Sequence, residues 1–262
     1  MGKNQVSVET NDNVLVIKLN RPEKLNAFDL DMYRELSLAY GELHRNPDLR
    51  CGILAAQGDH FTSGLDLAAW APYFGKGSFP DLPADGIDPL GLDEGNRLCK
   101  PIVMAAQGLC LTIGLELLLA TDIRVAAADT RFAQIEIKRG IYPVGGATVR
   151  LIQEIGWGNA MRYLLTADEI SADEAFRLGL VQALVEPGRQ VERALEIAAT
   201  IAAQAPLGVM ATLASARLTR ARGEEAAFER LLPDLLPLME SEDVKEGIES
   251  FIERRTARFK GR

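Results

Sequence analysis

The chain reads as an α/β protein with parallel strands and a helical C-terminal third. Short apolar, strand-like runs alternate with segments of helical period through the first half. The stretches between those runs are long enough for helices, as parallel crossovers require. Beyond residue 190 helical spacing takes over.

In order, residues 6–8 and 14–19 read as a hairpin about Asn11-Asp12-Asn13. Residues 30–43 carry apolar or small residues at helical spacing, with Asp29 and Asp31 near the start. Residues 51–56, 102–106 and 123–126 are short apolar runs that read as buried strands. Residues 70–95 are rich in Gly, Pro and Asp and lack periodicity, as a mobile wall of a ligand site would. A disordered surface loop is an equal reading for residues 80–88. Ser171-Ala172-Asp173-Glu174 has the capping-box pattern of a helix start. Residues 190–204, 207–222 and 224–238 read as helices broken by Pro206, Gly223 and Pro237, and Ser241 caps a last one. Their apolar faces suit another subunit or the chain's own core equally.

With 262 residues, 47% hydrophobic and 25% charged, the chain supports one large core domain, alone or with a helical appendage. The net charge of −8 disfavours nucleic acid as a partner without excluding a small anionic ligand. The most apolar region, residues 102–120, is interrupted by Gln107, Gly108, Thr112 and Glu116, which argues against a membrane span. The polar N-terminus lacks the pattern of a secretory signal, and Cys51, Cys99 and Cys110 have no C-x-x-C spacing. Both features fit a cytoplasmic protein with reduced thiols. His44 and His60 are the only histidines, and no zinc-ligand, P-loop, G-x-G-x-x-G or G-x-S-x-G pattern occurs. Neither a metal nor a redox cofactor is expected.

The chemistry is concentrated around two acids. Glu116 interrupts Leu111-Thr112-Ile113-Gly114-Leu115-Glu116-Leu117-Leu118-Leu119-Ala120, where an unpaired carboxylate is costly. Glu136 follows twenty residues later, behind Ala133-Gln134-Ile135. Two such carboxyls can divide acid and base work, or form a structural cluster bonded to backbone amides. Phe61-Thr62-Ser63-Gly64-Leu65-Asp66-Leu67 and Gly108-Leu109-Cys110-Leu111-Thr112-Ile113-Gly114 each place glycine at a strand-to-helix junction. Converging N–H groups there would make an oxyanion hole, although ordinary turns are the simpler reading on spacing alone.

Five segments in order resemble the crotonase, or enoyl-CoA hydratase/isomerase, superfamily. Leu19-Asn20-Arg21-Pro22-Glu23-Lys24-Leu25-Asn26-Ala27-Phe28 resembles its opening motif, and residues 61–67 resemble F-x-A-G-A-D-L. Lys100-Pro101-Ile102-Val103-Met104-Ala105-Ala106 with residues 108–117 resembles K-P-x-I-A-A-x-x-G and G-G-G-x-E-L. Residues 132–148 resemble F-x-x-P-E with G-x-x-P-x-x-G-G-T, and residues 247–255 the closing E-G-x-x-A-F-x-E-K-R. The matches run collinearly from residue 14 to 262.

The resemblance implies a crotonase-like spiral of ββα units, with a core over residues 1–200 and a C-terminal helical trimerisation region over 201–262. It implies a homotrimer or a dimer of trimers. Leu65 and Ile113 would supply the N–H groups that hold a thioester oxygen. Glu116 would activate water, and Glu136 would exchange a proton at the substrate α-carbon. Coenzyme A, arriving as part of the substrate, would be held by Lys24, Leu25 and Ala27 and by Ser63, Gly64, Leu65, Asp66 and Leu67. Phe251 and Arg254 match the positions that reach a neighbouring subunit's adenine and phosphate; for Arg254, complementing its helix's dipole is an equal reading. The implied reaction is hydration of a trans-2-enoyl-CoA, with isomerisation, dehydration or hydrolysis of an acyl-CoA as alternatives. A non-catalytic protein that binds coenzyme A or RNA is the reading from a different class. The chain departs from the pattern at Leu65 for alanine, Ile113 and Val144 for glycine, and Ile135 for proline. The side chains of Leu65 and Ile113 narrow the space around the thioester, Val144 stands near the expected water position, and Trp70, Tyr73, Phe74 and Phe79 are expected to border the acyl pocket.

Overall fold

A computed structural model describes residues 4–262. Strands β1 (Val6–Asn11) and β2 (Val14–Leu19) form the hairpin, turning at Asp12, and α1 (Leu30–Arg45) follows. Asp29 caps α1 by accepting from the Met32 amide at 2.9 Å. Then come β3 (Cys51–Ala56), α2 (Leu67–Phe74), β4 (Ile102–Ala106), β5 (Leu109–Leu111) and α3 (Ile113–Ala120). Next are β6 (Ile123–Ala127), β7 (Arg131–Ala133), a 3-10 turn at Glu136–Arg139, α4 (Ala147–Ile155) and α5 (Trp157–Thr166). Strand β8 (Ile170–Ser171), α6 (Ala172–Arg177), β9 (Ala183–Val185) and α7 (Gln190–Ala202) complete the core.

The main sheet runs β1-β2-β3-β4-β6-β9, parallel except for the hairpin, and a small sheet runs β5-β7-β8. Each turn of the spiral places one strand in the main sheet, a short one in the second layer, then a helix. Strands β4 and β5 with α3 show the unit plainly. Single bridges Phe28–Leu65 and Thr62–Cys110 extend the second layer to earlier turns.

The unbroken apolar strands follow from burial on both faces. On β2, β3 and β4 one set of alternate residues, including Leu15, Ile17, Leu54 and Met104, enters the core beneath the second layer. The other set, Val14, Val16, Ile53 and Val103, packs on Ala194, Ala198 and Ala202 of α7, whose small side chains let the helix lie close to the sheet. Ser171 caps α6 by accepting from the Glu174 amide, as its pattern predicts.

Two expectations need correction. The segment from residue 70 is not loop from its start, because α2 runs through Phe74. Trp70 is fully buried, donates to the Phe28 carbonyl at 2.9 Å, and packs against Tyr33, Phe74 and Phe79. Residues 86–90 are buried too, anchored by Asp88, which accepts from Tyr33 and the Leu90 and Leu92 amides. The run 224–238 is not one helix broken by Pro237. It splits at Glu229-Arg230 into α9 (Glu224–Phe228) and α10 (Leu231–Met239), after α8 (Pro206–Arg222), and Pro237 lies inside α10.

The last helix, α11 (Glu242–Glu253), is capped by Ser241. The tail then folds back on the chain: Arg50 donates to the Phe259 carbonyl, and Asp243 accepts from the Lys260 and Gly261 amides. Across α9 to α11, Phe228, Leu232, Leu236, Phe251 and Ile252 remain exposed.

Candidate active site

Helix α3 starts at Ile113 directly after β5, so its first N–H groups lack partners within the helix and carry partial positive charge. Gly114 is needed there, since a Cβ would stand 2.6 Å from Thr62 Cγ2 and 3.2 Å from Cys110 Sγ. Gly64, at φ +113°, meets the preceding Thr112 face to face, and a Cβ on it would stand 2.4 Å from Thr112 Oγ1. This close approach brings the Leu65 peptide, one residue past Gly64, beside the Ile113 peptide, one residue past Thr112.

The opening motif joins the same loop. Ser63 donates its amide to the Leu25 carbonyl and Phe28 to the Gly64 carbonyl, both at 2.9 Å. Buried Asn26 fixes this turn by donating to the Gln57 and His60 carbonyls. Lys24, Leu25 and Ala27 therefore sit against the Ser63–Leu67 loop.

A cavity of about 210 Å³ opens between these elements, lined by Ser63, Leu65, Leu67, Thr112 and both glutamates. Its far wall is apolar, built from Phe74, Ile135, Ile141, Tyr142 and Val144. Of the four aromatics expected at the acyl pocket only Phe74 lines it; Trp70 is spent in the core. Ile113 lies behind Thr112 with its side chain buried. Gly64 shapes its loop, and Asp66 stands at the N-terminus of α2. Phe251, on α11 and 84% exposed, and Arg254, which caps the end of that helix, line no part of this cavity.

The two carboxyls differ in their surroundings. Glu116 is 4% exposed and accepts from the Ala147 amide at 3.3 Å. Gly145 packs so closely that a Cβ would stand 2.4 Å from Glu116 Oε2. Burial pushes Glu116 up to about 8, aided by the Glu136 charge, against the pull of the Ala147 and Gly145 amides and the Arg150 guanidinium. Burial also raises Glu136, to about 7. Its Oε2 is buried without a hydrogen-bond partner among the described residues. The pair titrates as a unit and holds about one proton near neutral pH. Burial raises Glu116 further than Glu136, so the shared proton rests mainly on Glu116. The Ala147 and Gly145 amides, which favour charge on Glu116, and the orphan oxygen of Glu136 keep the state with the proton on Glu136 close in energy.

Sequence reasoning missed Thr112, Arg139, Ile141, Tyr142 and Gly145. The Gly145-Gly146 pair was visible as part of a motif, but its approach to Glu116 depends on how α4 returns to α3. Arg139 follows Glu136 by three residues, a spacing that has meaning only once the 3-10 turn is known.

Residues 9–262 match the sequence model of the Enoyl-CoA hydratase/isomerase family. The chain is 36% identical over 258 residues to enoyl-CoA hydratase EchA19 of Mycobacterium tuberculosis, covering 97% of this chain and 96% of that one. It is 32% identical to a crotonyl-CoA hydratase of Syntrophomonas wolfei, covering 99% of both. The crystal structure of a probable enoyl-CoA hydratase/isomerase from Mycobacterium abscessus superposes with a TM-score of 0.95 at 48% identity, covering 98% of this chain and 99% of that one.

Proposed function

The chain belongs to the enoyl-CoA hydratase/isomerase family, and we propose that it hydrates a trans-2-enoyl-CoA reversibly to the 3-hydroxyacyl-CoA. The observation that carries this reading is that two raised carboxyls, Glu116 and Glu136, line one cavity together with Leu65 and with Thr112, the residue before Ile113 at the start of α3.

The thioester oxygen accepts from the Leu65 and Ile113 N–H groups. Withdrawal of electron density through the conjugated double bond leaves the β-carbon electrophilic, and the same donors hold the negative charge that then develops on oxygen. Ionised Glu116 takes a proton from water as the water oxygen bonds to the β-carbon. Protonated Glu136 gives its proton to the α-carbon. The proton gained by Glu116 balances the one lost by Glu136, and exchange with solvent resets the pair. Both acids are needed for hydration, whereas shifting a double bond needs only one group that moves a proton.

Coenzyme A enters as part of the substrate, along Lys24, Leu25 and Ala27 and the Ser63–Leu67 loop. We take the assembly to be a trimer or a dimer of trimers, supported by the exposed apolar residues of α9 to α11. In it Phe251 and Arg254 would reach a neighbour's coenzyme A. Among the described residues no single helix is long and apolar enough to cross a membrane. The three unbridged cysteines support a reducing, cytoplasmic setting.

The test follows loss of the conjugated thioester absorbance of crotonyl-CoA and of a longer 2-enoyl-CoA. Hydration by the wild type that collapses in both Glu116→Gln and Glu136→Gln supports the reading. An inert wild type on both chain lengths overturns it.

A further inference from the structure

Arg139 is the one cationic residue among those lining the catalytic cavity. It ends the 3-10 turn that begins with Glu136, and side chains three residues apart on such a turn leave from the same face. Glu136 and Arg139 thus point the same way, yet they form no ion pair. Among the described residues the Arg139 guanidinium pairs with no carboxylate, and its one hydrogen bond is a 3.4 Å contact to the neighbouring Lys138 carbonyl. Lys138 is committed elsewhere, donating to the Ala167 carbonyl at 2.9 Å and anchoring the turn.

The rest of the wall on this side is apolar, and Ile141, Tyr142 and Val144 are each more than a third exposed at its rim. The thioester end of the substrate is fixed on the opposite side, at Ser63, Leu65 and the start of α3. An acyl chain leaving the two glutamates on this side is bordered by Ile135, Ile141, Tyr142 and Arg139. Arg139, itself exposed, stands beside this apolar wall, and a free guanidinium there matches a planar anion, which it can grip with two parallel hydrogen bonds.

We propose that Arg139 reads a carboxylate at the far end of the acyl group, so that the preferred substrates are 2-enoyl-CoAs with an acidic tail. This rests on the hydratase reading and narrows its substrate class. The same chemistry could reach Arg139 from a coenzyme A phosphate, but that end of the substrate enters past the Lys24–Ala27 and Ser63–Leu67 segments.

The experiment compares two substrates of equal length, trans-2-hexenoyl-CoA and trans-2-hexenedioyl-CoA, on wild type, Arg139→Gln and Arg139→Lys. The wild type is expected to favour the diacid. Arg139→Gln should lower the ratio of kcat/KM, diacid over monoacid, on the order of 10- to 100-fold, mostly through KM. Arg139→Lys should recover part of that ratio, since it keeps the charge and loses the planar fork. An unchanged ratio, or an equal loss on both substrates as a phosphate contact would give, overturns the assignment. A wild type that hydrates hexenoyl-CoA but not the diacid overturns it while leaving the hydratase reading intact. One that hydrates neither overturns both.

Discussion

The two walls of the cavity are built in opposite ways. Glu116 stands in the first turn of α3, enclosed by Gly145 and the Ala147 amide, where even one added methyl group would strike its carboxylate. Glu136 stands on a single 3-10 turn whose following residues, Ile137 to Gly140, are all exposed. The first wall holds one geometry for water and the thioester oxygen. The second holds a proton donor on a turn that can vary its neighbours without disturbing the core. The water-activating acid is thus held on the enclosed side, and the proton donor shares the open side with the residues that border the acyl group.

Removing the charge on the fixed wall should cost most. Glu116→Gln should lower kcat for hydration by about 10³- to 10⁴-fold, the upper range for a group positioned for general base catalysis. Gly145→Ala leaves both acids present and displaces one. A shift of about 1 Å in a catalytic group typically costs on the order of 100-fold, and kcat for hydration measures it. Val144→Ala, on the open wall, should change kcat little and shift the ranking of acyl chains, read as kcat/KM across chain lengths, by about 10-fold or less.

The pair also sets two pH effects. Hydration requires the one-proton state, so kcat/KM should follow a bell with limbs near pH 7 and 8, and the residual activity of either Gln variant should lose one limb. Both carboxyls are raised in the folded chain above the ordinary value of 4.5. Their contribution to stability is therefore full below pH 4.5 and lost as pH rises through about 7 to 8. Glu116→Gln should consequently melt higher than wild type at pH 9, by the equivalent of a few kcal/mol at roughly 1.4 per pKa unit, with the gap closing toward pH 5.

The same contrast governs what was readable in advance. The strands at Cys51–Ala56 and Ile102–Ala106 match their apolar runs because burial on both faces leaves no other pattern. Glu116 stood out because a carboxylate in an apolar helix is costly. The open wall left weaker marks. Arg139 carries no mark in the sequence beyond its charge, and the glycines and prolines after Trp70 hide the short α2. The division between α9 and α10 has no glycine or proline at Glu229-Arg230 to announce it. Apolar faces on α9 to α11 were legible as faces, while their occupant depends on a second chain.

The division of labour between the walls is tested most directly by α-proton exchange. Butyryl-CoA, which has no double bond to hydrate, is incubated in D₂O with wild type, Glu116→Gln and Glu136→Gln, and deuterium at the α-carbon is followed. Exchange that survives in Glu116→Gln and disappears in Glu136→Gln is the predicted result. Exchange that survives loss of Glu136, or that requires Glu116 instead, would contradict the assignment of the two acids.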